Sequence, residues 1–231
     1  MVKVVGHRGA AGLEPENTLR SIRRALDLGV DEVEVDLHLS QDGHLIVIHD
    51  ERANRTTDGK GLVQDMTIDE LKKLDAGGGE RIPTLSEVID LVGGRAVLQV
   101  ELKAPGTEAK VIEDIRQGDA EKWTEVISFS HPLVKKVKDL NPRLETGVLF
   151  TGTPIYPARM ALEAKASRIH PYFYLTDKNM VDDAHLSGLK VCVWTVNNPG
   201  DMSMMVDVGV DFIVTDRPDL LIELLTERGL R

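Results

Sequence analysis

Val4-Val5-Gly6-His7-Arg8-Gly9 is a short β-branched run that climbs to a glycine, presents a histidine and an arginine, and meets a second glycine. The glycines let the backbone turn tightly at a strand end. Histidine moves a proton near neutral pH, and arginine grips a phosphate or carboxylate with a planar fork of donors. A strand that stops on a proton carrier and an anion clamp reads as the mouth of a catalytic barrel. The rest of the chain can be read outward from this point.

Residues 10–15 form a loop, and Asn17 is placed to cap a helix whose Leu19, Ile22, Ala25 and Leu26 recur at helical spacing and which Gly29 ends. The next segment, residues 31–39, alternates strictly and predicts a strand with one apolar and one acidic face. Asp42-Gly43 then marks a hairpin into Leu45-Ile46-Val47-Ile48. A turn centred on those two residues sets Asp36 opposite His49, a pairing that a one-residue slip would spoil.

Residues 50–80 are polar and Gly-rich, with a short helix around Ile68 and Leu71, and read as a small lid or insertion over a site. Thr84 caps a further helix through Leu91. From there strands and helices alternate regularly. Strands are predicted at 96–101, 125–128, 145–149, 167–170, 190–194 and 211–214, and helices at 107–117, 131–139, 155–164, 178–186, 199–207 and 217–228. With the first two strands this makes eight, which predicts an α/β fold, a (β/α)8 TIM barrel forming one domain over residues 1–231. A doubly wound open sheet is the alternative, weakened by the lack of G-x-G-x-x-G or a P-loop.

A chain of 231 residues with 42% hydrophobic and 29% charged residues can bury a sizeable core. A net charge of −10 argues against nucleic acid and suits an anionic membrane poorly. An anionic substrate would therefore need local positive charge. Cys192, the only cysteine, sits among valines and reads as a buried small hydrophobe. With no secretory leader and no membrane-length apolar run, the expectation is a cytoplasmic protein without stable membrane insertion, with room for a homo-oligomer.

Chemistry in such a barrel sits at the C-terminal ends of strands. That rule gathers His7, Arg8, Glu34, Asp36, His49, Glu101, Lys103, His170, Trp194 and Asp216 at one mouth. Each piece alone has a plainer reading: a solvated acidic face, a satisfied histidine, a Lys103–Glu101 ion pair, a core tryptophan. Together they point to a site. Converging Glu34, Asp36 and Glu101 would repel one another unless a cation intervened, and all-oxygen donors favour Mg²⁺ or Ca²⁺. Two histidines, a divalent ion and a cationic clamp suit phosphoryl chemistry. His38, His44, His131 and His185 read as structural.

The ordered motifs resemble the glycerophosphodiester phosphodiesterases over nearly the whole chain. They include His7-Arg8-Gly9, Glu14-Pro15-Glu16-Asn17-Thr18, Glu34-Val35-Asp36, His49-Asp50, Arg55-Thr56-Thr57, Glu101-Leu102-Lys103, Val193-Trp194-Thr195 and Thr215-Asp216-Arg217-Pro218. The resemblance implies a TIM barrel that hydrolyses a small glycerophosphodiester to glycerol 3-phosphate and an alcohol. It implies His7 and His49 as the acid/base pair, Arg8 and Lys103 on the phosphate, and Trp194 beside the glycerol. It implies one divalent metal ion on Glu34, Asp36 and Glu101, and attack by a glycerol hydroxyl to give a cyclic phosphate. A lysophospholipase D of similar barrel type and a barrel that only binds its ligand are the competing readings.

Overall fold

The alternation of residues 32–39 becomes a strand with Val33, Val35 and Leu37 on one face and Glu32, Glu34 and Asp36 on the other, all six buried. The computed structural model describes all 231 residues. Its strands are β1 (Lys3–Gly6), β2 (Glu32–Leu39), β3 (Leu45–Val47), β4 (Val97–Leu102), β5 (Thr124–Ser128), β6 (Glu145–Phe150), β7 (Arg168–Pro171), β8 (Lys190–Val193) and β9 (Phe212–Thr215). The α-helices are α1 (Leu19–Leu28), α2 (Ile68–Leu71), α3 (Leu85–Val92), α4 (Glu108–Gln117), α5 (His131–Leu140), α6 (Pro157–Glu163), α7 (Lys178–Leu186), α8 (Pro199–Val208) and α9 (Pro218–Glu227). Eight strands pair in parallel in the order β1, β9, β8, β7, β6, β5, β4, β2, and β2 pairs back to β1, which closes the ring. That closure is a (β/α)8 barrel and removes the open-sheet alternative. None of the helices is long and apolar enough to cross a membrane.

The outward faces of the strands meet the helices in one core of 47 buried residues, including Val4, Val35, Leu98, Val126 and Ile213. Each fully buried aliphatic side chain there is worth about 1.5–3 kcal/mol relative to exposure. The inside of the barrel is different. Barrels of this kind usually fill their axis with branched aliphatics. Here Val5, Cys192, Phe212 and Val214 share the interior with a charged network below the mouth. Arg168 Nη1 lies 2.8 Å from Glu32 Oε2 and 3.1 Å from Glu125 Oε2, Gln99 Nε2 donates to Glu32 Oε2 at 2.5 Å, and the His170 ring meets Glu125 Oε1 at 3.2 Å. Burial pushes the Cys192 thiol well above its usual range, as befits an inert core cysteine.

Two local expectations are corrected. The cap of α1 is Thr18, whose Oγ1 accepts from Ser21 N. Asn17 has φ 57°, outside the extended conformation a cap needs, and its amide goes to Asp36 instead. The hairpin register is one residue off. Leu37 faces Val47, and Ile48 N donates to Asp36 O at 3.0 Å, so Asp36 lies opposite Ile48 and not His49. The reason is the loop: Ser40 N donates to His44 O, which encloses three residues, and Gly43 takes φ 84° in the last position. An odd loop shifts the register by one. His49 still reaches the mouth because the chain turns after Ile48, where the His38 ring Nε2 lies 3.0 Å from His49 O.

Residues 50–80 carry a short 3₁₀ turn and α2, and pack on their own six-residue cluster of Ile46, Ile48, Val63, Leu71, Ala76 and Ile82. The insertion is thus anchored to the back of the hairpin that delivers His49.

Candidate active site

β1 ends where Gly6 and Gly9 are both required. A side chain on Gly6 would put Cβ 2.3 Å from Gly9 O, and one on Gly9, at φ 87°, would strike Ser21 at 2.5 Å. The turn between them holds Arg8 at φ 49°, a left-handed conformation uncommon for a non-glycine residue. It is held there by Arg8 N donating to Glu34 Oε2 at 3.0 Å and by Ser21 Oγ donating to Arg8 O. The Arg8 guanidinium then lies over the mouth, with Nη1 2.7 Å from Glu16 Oε1 and Nε 3.2 Å from Asp36 Oδ2.

The three carboxylates converge as their spacing predicts. Asp36 on β2 is in register with Glu101 on β4, and ligand oxygens of Glu34, Asp36 and Glu101 lie within 4.8 Å of one another, all buried. Lys103 Nζ stands 2.9 Å from Asp36 Oδ1 and 2.7 Å from Glu101 Oε1. Burial opposes charge on all three acids, but they divide. Lys103 and Arg8 overcome it at Asp36, whose carboxyl is held well below the usual range. Burial, with Asp36 and Glu101 adding repulsion, drives Glu34 well above it, and burial pushes Glu101 up to about 7 against the pull of Lys103. A cluster with one carboxylate firmly ionised and two raised by burial and by each other is short of positive charge. Its hard oxygen donors fit a divalent ion such as Mg²⁺ or Ca²⁺.

Both histidines present the same side to the pocket. His7 Nδ1 is 2.6 Å from Asp216 Oδ1 and His49 Nδ1 is 2.7 Å from Asp50 Oδ1. Each Nδ1–H donates to its aspartate, which leaves Nε2 of the neutral ring as the unprotonated nitrogen. The His7 Nε2 is 4.0 Å from Glu34 Oε2. Asn197 holds Asp216 in turn, donating to Oδ2 at 2.6 Å and accepting from Asp216 N at 2.9 Å. Burial lowers the His49 pKa below the usual imidazole value, favouring the neutral ring.

These groups line one open pocket, with His7, Arg8, Glu34, His49, Glu101 and Lys103 on one side and Ile127, Phe129, Leu149, Trp194 and Val214 on the other. Trp194 spends its indole N–H on His170 O at 2.8 Å and stacks edge-on against Phe129, so it offers the pocket an apolar face. Every predicted site residue therefore borders this cavity or, as Asp36 does, contacts those that do. Asp216 stood at a predicted strand end without an assigned role. Asp50, Glu16 and Arg55 lie in sequence motifs that name no partner for them, and Asn17 is a capping residue type that serves Asp36 instead. Only the His49-Asp50 neighbourhood was a local signal.

Residues 7–220 match the model of the glycerophosphoryl diester phosphodiesterase family. The chain is 41% identical to a glycerophosphodiester phosphodiesterase of Caldanaerobacter subterraneus subsp. tengcongensis, over 98% of each. It is 35% identical to a Bacillus subtilis protein of that name, over 95% of this chain and 85% of the relative. Among solved structures it is similar to an Oleispira antarctica phosphodiesterase in complex with the product sn-glycerol-3-phosphate, at TM-score 0.91 and 30% identity, over 97% of this chain and 96% of the other. A glycerophosphodiester phosphodiesterase from Agrobacterium tumefaciens gives TM-score 0.85 at 31% identity, over 96% of this chain and all of the other.

Proposed function

The chain belongs to the glycerophosphoryl diester phosphodiesterase family, and from that premise we propose that it hydrolyses small glycerophosphodiesters to glycerol 3-phosphate and an alcohol. In this reading residues 1–231 act as one catalytic unit, and a divalent cation is needed. The observation that carries it is the presence of two aspartate-oriented histidines in one pocket with Arg8, Lys103 and the acidic triad.

Glu34, Asp36 and Glu101 are the residues that would hold the ion, which when bound supplies positive charge for the phosphoryl oxygens. Arg8 and Lys103 bind the phosphodiester and orient it. One histidine takes the proton from the glycerol hydroxyl adjacent to the ester as that oxygen attacks phosphorus. The other gives a proton to the leaving alcohol oxygen as its bond to phosphorus breaks. The product of this step is a cyclic glycerol phosphate. Water then attacks phosphorus and opens the ring, with the two histidines exchanging roles so that both return to their starting protonation. Trp194, Phe129 and Leu149 exclude water from the carbon side of the glycerol.

A coupled assay for glycerol 3-phosphate release, run on glycerophosphocholine and its ethanolamine, glycerol and inositol counterparts, tests this reading. Turnover is expected to vanish with a chelator and return with Mg²⁺ or Ca²⁺. His7→Ala and His49→Ala are each expected to lose at least about 100-fold in kcat with the fold intact. Full activity in either histidine variant, or release from none of the diesters, would sink it. Faster turnover of a lysophospholipid than of glycerophosphocholine would replace the small substrate with a lipid one.

A further inference from the structure

We propose that Arg55 is a positioning residue that yokes the His49 ring and the Arg8 clamp together, and that holding it in place is the task of residues 50–80. This rests on the function proposed above for His49 and Arg8. Its basis is one unbroken chain of contacts. His49 Nδ1 meets Asp50 Oδ1 at 2.7 Å. Asp50 is gripped from the other side by Arg55, through Nε to Oδ2 at 2.8 Å and Nη2 to Oδ1 at 2.9 Å. The same guanidinium grips Glu16, through Nη1 to Oε2 at 2.8 Å and Nη2 to Oε1 at 2.9 Å. Glu16 Oε1 in turn accepts from Arg8 Nη1 at 2.7 Å.

A guanidinium can take two carboxylates in bidentate fashion because its five donors lie in one rigid plane. A lysine ammonium is a point charge and cannot fix the planes of two carboxylates at once. Asp50 fixes the plane of the His49 ring and Glu16 fixes the reach of Arg8, so the relative placement of these two groups is set at Arg55. The loop on either side of it is pinned. Thr57 N and Oγ1 both donate to Ala53 O, Ala53 N donates to Gly61 O, and Gly61 N donates to Asn54 Oδ1. Beneath that loop, Val63, Leu71 and Ala76 pack on Ile46 and Ile48 of the hairpin arm that leads into His49.

The Arg55 side chain is 46% exposed. Ion pairs with that much access to water contribute little to stability, so a purely stabilising role has little to offer. Placement of two reacting groups is a different matter, because small errors of orientation are costly in rate.

The test compares wild type with Arg55→Ala, Arg55→Lys, Glu16→Gln and Asp50→Asn. Arg55→Ala is expected to lose about 10- to 100-fold in kcat/KM, divided between a lower kcat through His49 and a higher KM through Arg8, with little change in melting temperature. Arg55→Lys recovers little of this, and added guanidinium partly rescues Arg55→Ala but not Arg55→Lys. On the Glu16→Gln/Asp50→Asn background, Arg55→Ala has almost no further effect, because the yoke is already cut. Two readouts do not need turnover: the affinity for inorganic phosphate, which reports Arg8, and the downfield Nδ1–H proton resonance of His49. Arg55→Ala weakens the first and broadens or removes the second. Unchanged phosphate affinity with an unchanged resonance overturns the yoke, as does a loss that multiplies with those of the two carboxylate variants. If wild type releases no glycerol 3-phosphate, the functional reading falls while these two readouts still decide the yoke.

Discussion

Asp216 is the residue whose removal should speak most directly about His7. Its carboxylate receives Nδ1–H at 2.6 Å and is itself held by Asn197, and the pull of that hydrogen bond overcomes burial and keeps its own pKa low. Asp216→Asn keeps the shape but can turn an N–H toward Nδ1, which selects the wrong tautomer and turns Nε2 from acceptor to donor. We expect kcat to fall at least about 10-fold with KM nearly unchanged and the circular dichroism spectrum intact. A kcat equal to wild type would show that His7 is oriented by something else. At this scale the sequence was legible where chemistry follows a strand's period. Glu34, Asp36 and Glu101 could be placed together because alternate residues share a face and adjacent strands share a register. Arg55, Glu16 and Asp216 could not be given partners, because they meet across loops whose path no periodicity describes. Asn17 was misread because a good capping residue is also a good partner for a buried carboxylate.

At the scale of elements, the strands and helices from β4 onward fell within a residue or two of their expected ends, since each of these helices has a glycine, a proline or a capping side chain at one end or the other. The hairpin did not, because Asp42-Gly43 fits a two-residue and a three-residue turn equally well, and only the Ser40–His44 closure distinguishes them. Residues 50–80, expected to form a small lid or insertion over a site, are an insertion with a small core of its own. Leu71 is fully buried in that core. Leu71→Ala is expected to cost about 2–5 kcal/mol, locally, because the six-residue cluster is separate from the main core. Hydrogen exchange should then quicken in residues 50–80 while barrel amides stay protected. Equal loss of protection around the whole barrel would mean that the insertion and the barrel unfold as one unit.

For the whole molecule, closure of the barrel was legible from eight alternating units, and the chemistry of its mouth from their ends. What the pattern did not convey is the electrostatic cost of that mouth. With no ion bound, Glu101 holds its proton up to about pH 7 and Glu34 is also raised. At these two carboxyls the folded protein therefore holds more protons than the unfolded chain between roughly pH 4.5 and 7, whereas the lowered His38 and His49 work in the opposite direction. Stability from the two carboxyls is full below that window and is lost as pH rises through it, by about 3 kcal/mol for a shift of this size at Glu101. From pH 5 to pH 7.5 the melting temperature of metal-free wild type should drop relative to that of metal-free Glu101→Gln, and saturating Ca²⁺ or Mg²⁺ should reduce that drop and release protons on binding. Parallel metal-free profiles for the two proteins would contradict this. Below the mouth the axis carries Glu32, Arg168, Glu125 and His170, joined in that order by ion-pair contacts. Neutralising one member alone strands its buried partner's charge, a loss of about 3–5 kcal/mol, whereas replacing the group together by apolar residues of similar volume is often neutral. These positions are consequently coupled: none of them can turn aliphatic alone without leaving a buried charge unpaired, so the interior of the barrel can change character only as a group.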